Sequence, residues 1–152
     1  EANTFEKEVA CSGNVDVDSI LNYKINEAKN RGIDVMLTLE IPMSLNIRSV
    51  DMVVILGNLL DNAIDATDKL KKDKKIDLEL IYKKNVLFIK IRNTFNGYVA
   101  KEGSKLITTH KDKGNHGIGL NNIKKVLKTY DGEMEISYTG NEFCTDILVY
   151  DC

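Results

Sequence analysis

Within ILGNLLDNAIDAT, Asn58, Asp61, Asn62 and Asp65 stand at i, i+3, i+4 and i+7, so a helix formed there carries all four on one face. The rest of that segment is apolar. Burying two amides and two carboxylates without partners costs about 1–3 kcal/mol for each polar group and more for each charge. A bound ligand or a hard cation would satisfy them. Oxygen donors suit magnesium, which keeps several waters and takes one or two protein ligands beside substrate phosphates. The same spacing also fits a solvent-facing stripe or a hydrogen-bonded network inside a core.

A second constellation is KGNHGIGLNN, where Gly114, Gly117 and Gly119 lead into a helical pattern. Glycines there let backbone approach a phosphate closely, and a helix N-terminus offers free N–H groups and a positive partial charge. An ordinary flexible connection uses glycines in the same way. The segment is not a Walker loop, because no Gly-Lys-Ser/Thr follows a strand, and it lacks the strand-first setting of a Rossmann fingerprint.

Regular elements must position these groups. DSILNYKINEAKNRG has Ile20, Leu21, Lys24, Ile25 and Ala28 at helical spacing, with Asp18 or Ser19 as cap and Gly32 as stop. Ile33 to Pro42 reads as a strand. A longer helix opens at Ser49 or Asp51 and runs to about Leu70, apolar around most of its circumference and therefore largely buried. After the lysine-rich turn KLKKDKK, two alternating runs about Lys84 and Asn85 make a hairpin. Periodicity fails from Thr94 to His116, and an irregular stretch of that length in a compact domain is expected to be a functional lid. A helix ending at Gly132 and two strands about Gly140 and Asn141 complete an α+β sandwich, a mixed sheet with helices on one face.

Composition narrows the function. The chain of 152 residues fits one domain, and Lys plus Arg total 21 against 23 Asp plus Glu, a net charge of −2 that gives no field for nucleic acid. Cys11, Cys144 and Cys152 have neither paired spacing nor zinc-site neighbours, which fits a reducing, cytoplasmic compartment. No apolar run approaches the roughly 20 residues needed to span a bilayer. The chain opens on Glu1, as expected of a piece of a longer protein whose other parts include membrane spans.

The two constellations, in this order across an irregular lid, resemble the GHKL ATPase superfamily: NLLDNAIDA is similar to its N box and GIGLNNI to its second glycine box. The resemblance covers nearly all of residues 1–152 and implies the family's two-layer α/β sandwich (the Bergerat fold), three helices on one face and an ATP lid at about 94–116. It implies that Asn62 binds Mg²⁺ bridging to ATP and that Asn58 supports metal and phosphates. It also implies that the turn Gly117, Ile118, Gly119, Leu120, Asn121 closes on the phosphates, with Asp61 and Asp65 beside them. Asn93 and Thr94, in IRNTFNG, replace the usual Asp-containing first glycine box; Asn93 stands where the Asp accepts from the adenine amino group. Asp65 stands where many relatives carry a basic residue, which leaves Lys111 in the lid as the candidate phosphate cation. His110 and His116 also lie in the lid; neither is expected to ligate metal, and His116 stands beside the phosphate glycines.

Asn58 points to a branch. ATP-hydrolysing relatives carry a Glu there to activate water, and an amide cannot serve as that base. Sensor histidine kinases carry Asn, so transfer of the γ-phosphoryl group to a histidine is implied, needing positioning and charge neutralisation more than a strong base. VDVDSILNYKINEAKNRGI, ILGNLLDNAIDA and HGIGLNNIKKV resemble the peptide-pheromone quorum-sensing kinases of the accessory-gene-regulator type. That implies a bacterial two-component system with two partners: a dimerisation hairpin bearing the phosphoacceptor, absent from this chain, and a response regulator. The isolated domain is expected not to autophosphorylate. Two alternatives share the fold: a degenerate module acting through protein contacts, and an anti-sigma-type serine kinase, which usually carries Glu at the Asn58 position.

Overall fold

The structure is a computed structural model that describes residues 9–102, 105–107 and 113–152, with side chains for 9–99 and 119–152. Helix α1, Val15–Asn30, buries Val17, Leu21, Ile25 and Ala28. Its cap is Asn14, whose Oδ1 accepts from the Val17 N–H at 3.3 Å. The expected cap Asp18 lies a turn inside the helix and folds back to accept from the Ser12 and Gly13 N–H groups. The chain before the helix is tied down at mid-helix. Asn22 accepts from the Val9 and Ala10 N–H groups and donates to the Ala10 carbonyl. Gly32, at φ 73°, turns the chain out of α1 in a conformation that costs glycine nothing.

Strand β1 covers Asp34–Glu40 and helix α2 covers Ser49–Asp68. Strands β2 (Lys75–Lys83) and β3 (Val86–Thr94) form the expected hairpin, with Lys84 and Asn85 both at positive φ, as a tight two-residue turn requires. Strands β4 (Ala100–Glu102) and β5 (Lys105–Ile107) pair within the segment expected to be an irregular lid. Helix α3, Lys113–Thr129, starts four residues before Gly117 and so takes in part of that segment. Strands β6 (Glu133–Tyr138) and β7 (Glu142–Tyr150) close the chain.

The main sheet has the order β1-β2-β3-β7-β6, with β1 and β2 parallel and every other neighbour antiparallel. Period-two patterning drives one face inward: Ile76, Leu78 and Leu80 on β2, Leu87, Ile89 and Ile91 on β3, Ile147 and Val149 on β7. These meet Ile55, Leu56, Leu59, Leu60, Ala63 and Ile64 of α2 in one core. The fold is thus a two-layer α+β sandwich with the three helices on one face. Helix α2 is the middle one. Beside it α1 runs parallel, joined by the pairs Lys24–Asp61 and Arg31–Asp68, and α3 runs antiparallel, since Gly119 stands by Asn58 and Tyr130 by Asp51. Among the described residues no helix is long and apolar enough to cross a membrane.

Candidate nucleotide site

Because α2 spends its wide apolar face on the sheet, its remaining face carries the polar stripe, and Asn58, Asp61, Asn62 and Asp65 are all half-buried there. The stripe is not uniform. Asp61 lies about 100° around the helix from Asn62, on the α1 flank, where Lys24 Nζ meets its carboxylate at 2.6 Å. Burial works against the Lys24 ammonium, but the hydrogen bond and charge of Asp61 more than offset it and hold its pKa above the ordinary lysine value. Asp61 therefore serves the α1–α2 seam. Asn58 lies towards α3: its Nδ2 donates to the Val54 carbonyl at 2.7 Å, one turn back, which aims Oδ1 at α3. Asn62 and Asp65 each already make an interaction within the fold.

The glycine segment sits differently from its sequence reading. Gly117 to Asn121 does not precede α3 but lies inside it. Gly119 is the point of closest approach to α2, for a Cβ there would stand 2.9 Å from Asn58 Oδ1. Leu120 is buried in the core and Asn121 is exposed, so Leu120 can offer a ligand only its backbone. The side chains of Gly117's neighbours His116 and Ile118, and all of Lys111 and His110, lie outside the described residues.

At the end of β3 the structure gathers a second polar group of side chains. Asn93 faces the helices and is 4% exposed. Its Nδ2 donates to the Thr94 carbonyl at 3.1 Å, and among the described residues Oδ1 meets no donor. Thr94 is structural: its Oγ1 accepts from the Lys75 N–H at 3.0 Å and shares a 2.7 Å hydrogen bond with Thr67 Oγ1 on the last turn of α2. The sequence reading missed Thr145. It lies on β7 one diagonal step from Asn93, since Ile91 pairs with Thr145 and Asn93 with Phe143, and it is likewise 4% exposed. Among the described residues its hydroxyl makes no hydrogen bond. Its signal was available, as a polar residue in the inward register ahead of Ile147 and Val149.

An amide oxygen and a hydroxyl, both buried on neighbouring strands and unmet among the described residues, are the groups a flat heterocycle with donors and acceptors on its edge would satisfy. Thr67 sits two residues beyond Asp65, so the α2 C-terminal turns join this buried pair to the stripe. The combination fits a nucleotide: base towards Asn93 and Thr145, phosphates towards Asn58, Asn62 and the α3 glycines. Among the described residues no group of three or more His, Cys, Asp or Glu could hold a metal by itself. The amide and carboxylate oxygens of the stripe are the kind of donors that suit a cation drawing its other ligands from phosphate and water, as magnesium does.

Comparison with known proteins identifies the family and the fold. Residues 47–150 match the family described as GHKL domain. A probable C4-dicarboxylate sensor kinase of Halalkalibacterium halodurans is 29% identical over 125 residues, which cover 77% of this chain and 23% of that protein. The chain thus matches under a quarter of that relative's length. Among solved structures, the catalytic domain of histidine kinase ThkA superposes with a TM-score of 0.69 at 16% identity, covering 93% of each chain. The histidine kinase AdeS of Acinetobacter baumannii gives 0.64 at 15% identity, over 90% of this chain and 64% of that one. Taken with the stripe on α2 and the close approach of α3, the match places the chain in the GHKL family, as a domain with the fold of histidine-kinase catalytic domains.

Proposed function

We propose that this domain binds ATP with Mg²⁺ and, joined to a helical hairpin bearing a phosphoacceptor histidine, transfers the γ-phosphoryl group to that histidine. The observation that carries the nucleotide reading is the pair of buried polar groups on Asn93 and Thr145, beneath the end of α2, that meet no partner among the described residues. In this reading Asn93 Oδ1 accepts from the 6-amino group of adenine and Thr145 meets the same edge of the ring. Asn62 holds the metal, which supplies charge neutralisation at the phosphates when bound. Asn58, steadied by the Val54 carbonyl, orients metal and phosphates from the α3 side. The amide at position 58 supports phosphotransfer over hydrolysis, because it offers no base for water. Lys111 remains a proposed phosphate contact.

The wider context is proposed on the same footing: a cytoplasmic position in a bacterial membrane-bound sensor, with a response regulator downstream. A peptide-pheromone signal rests on the sequence motifs alone, and the matched relative is named for a C4-dicarboxylate. The test is thermal unfolding with ATP and Mg²⁺, and with ATP plus chelator. Ligand at a hundred times its Kd adds about 2.7 kcal/mol, a rise of roughly 5–10 °C in a domain of this size. A rise that needs Mg²⁺, with label passing from [γ-³²P]ATP to an added hairpin fragment, supports the proposal. No rise at millimolar ATP favours the degenerate module.

A further inference from the structure

We propose that Thr67 is a positioning residue that sets which purine this site accepts. The proposal rests on the reading that the base stands against Asn93. A carboxylate in that place would present an acceptor whichever way it turned. An amide does not: facing one way it accepts from a 6-amino group, and turned over it donates to a 6-oxo group. Discrimination by Asn93 therefore depends on what holds its amide.

The holding group is the Thr94 carbonyl, which takes the Asn93 Nδ2 at 3.1 Å and leaves Oδ1 for the base. Thr94 is itself fixed through its side chain, by the Lys75 N–H at 3.0 Å and by Thr67 Oγ1 at 2.7 Å. Thr67 is 0% exposed and belongs to α2, the helix that carries Asn58 and Asn62. A chain of contacts thus runs from the end of the stripe helix through two hydroxyls and one carbonyl to the amide that reads the base. In this role Thr67 acts through Thr94 and Asn93.

The experiment measures Kd for ATP and for GTP, each with Mg²⁺, and reads their ratio. The wild type is expected to prefer ATP. Thr67→Val keeps the shape but removes the hydroxyl, and the preference should fall about tenfold, the equivalent of one lost hydrogen bond. Thr67→Ser should restore it. In an Asn93→Asp background, where the side chain has no orientation to lose, Thr67→Val should leave the ratio unchanged. Thr67→Ala, which also lacks the hydroxyl, is read in parallel so that a folding defect in one variant does not decide the result. An unchanged ratio in folded Thr67→Val, or an equal fall in the Asn93→Asp background, overturns the proposal. A wild type that binds both nucleotides alike overturns it while leaving the nucleotide site standing; one that binds neither overturns both.

Discussion

Gly119 of α3 and Asn58 of α2 stand so close that one added methyl group would come within 2.9 Å of the amide oxygen. The glycine is thus required by a neighbouring side chain. Alanine at this interior helical position should favour the helix by about 1 kcal/mol while pushing Asn58 off its Val54 contact. Gly119→Ala is therefore expected to unfold at an unchanged or higher temperature and to bind ATP with Mg²⁺ about tenfold more weakly. Calorimetric titration beside a thermal melt checks both halves, and undiminished affinity would remove Asn58 from the phosphate site.

Asn62→Ala should abolish the Mg²⁺-dependent part of ATP binding. Asn62 is half-buried on the outer face of α2, away from the sheet, so stability without ligand should change by less than about 1 kcal/mol. ATP affinity that still responds to chelator in this variant would move the metal elsewhere.

Thr145→Val removes a buried hydroxyl that has no partner among the described residues and puts a methyl group among apolar neighbours. The ligand-free domain should gain up to about 1 kcal/mol of stability, whereas ATP affinity should drop several-fold. A variant that loses stability and keeps its affinity would make Thr145 an ordinary core residue.

Tyr130 ties the end of α3 to the start of α2, donating to the Asp51 carboxylate and accepting from the Arg48 N–H at 3.1 Å. Burial and the neighbouring carboxylate raise its phenol pKa above the ordinary value of 10.0. The folded state thus favours the protonated phenol, so this contribution is complete below pH 10 and is lost as pH rises through the folded pKa. Lys24, also raised, contributes in the same sense: its stabilisation is present below its unfolded pKa of 10.5 and fades above the folded one. Tyr130→Phe should cost about 1–2 kcal/mol at neutral pH and flatten part of the alkaline limb in urea melts taken from pH 8 to 11. An unaltered limb would assign it to other groups.

The order and type of the main elements were legible because their patterns are long. The period-two runs of β2, β3 and β7 and the apolar bulk of α2 leave little choice of partner face. The cap of α1 was misplaced because Asp18 and Asn14 are both good caps, and only the fold of Ser12 and Gly13 onto Asp18 decides between them. The start of α3 was misplaced because three glycines depress helix propensity, and packing against α2 overrides that preference. For the site, the stripe on α2 was readable as a face, but its division was not. That Asp61 belongs to Lys24 depends on how α1 lies beside α2, and no local pattern encodes it. Thr145 escaped for a similar reason, since its closeness to Asn93 exists only through the register of β3 on β7.

That register also governs when the chain becomes competent during synthesis. Strand β3 has one partner immediately before it, β2, and the other, β7, comes after every other described element in chain order. Until β7 docks, β3 is a sheet edge with its inward Leu87, Ile89 and Ile91 covered from one side only, and Asn93 faces no Thr145. Closing a pairing between segments so far apart is the slow step in such a topology. A chain stalled on the ribosome before β7 would therefore carry the polar stripe of α2 and the glycines of α3 and still lack Thr145 beside Asn93.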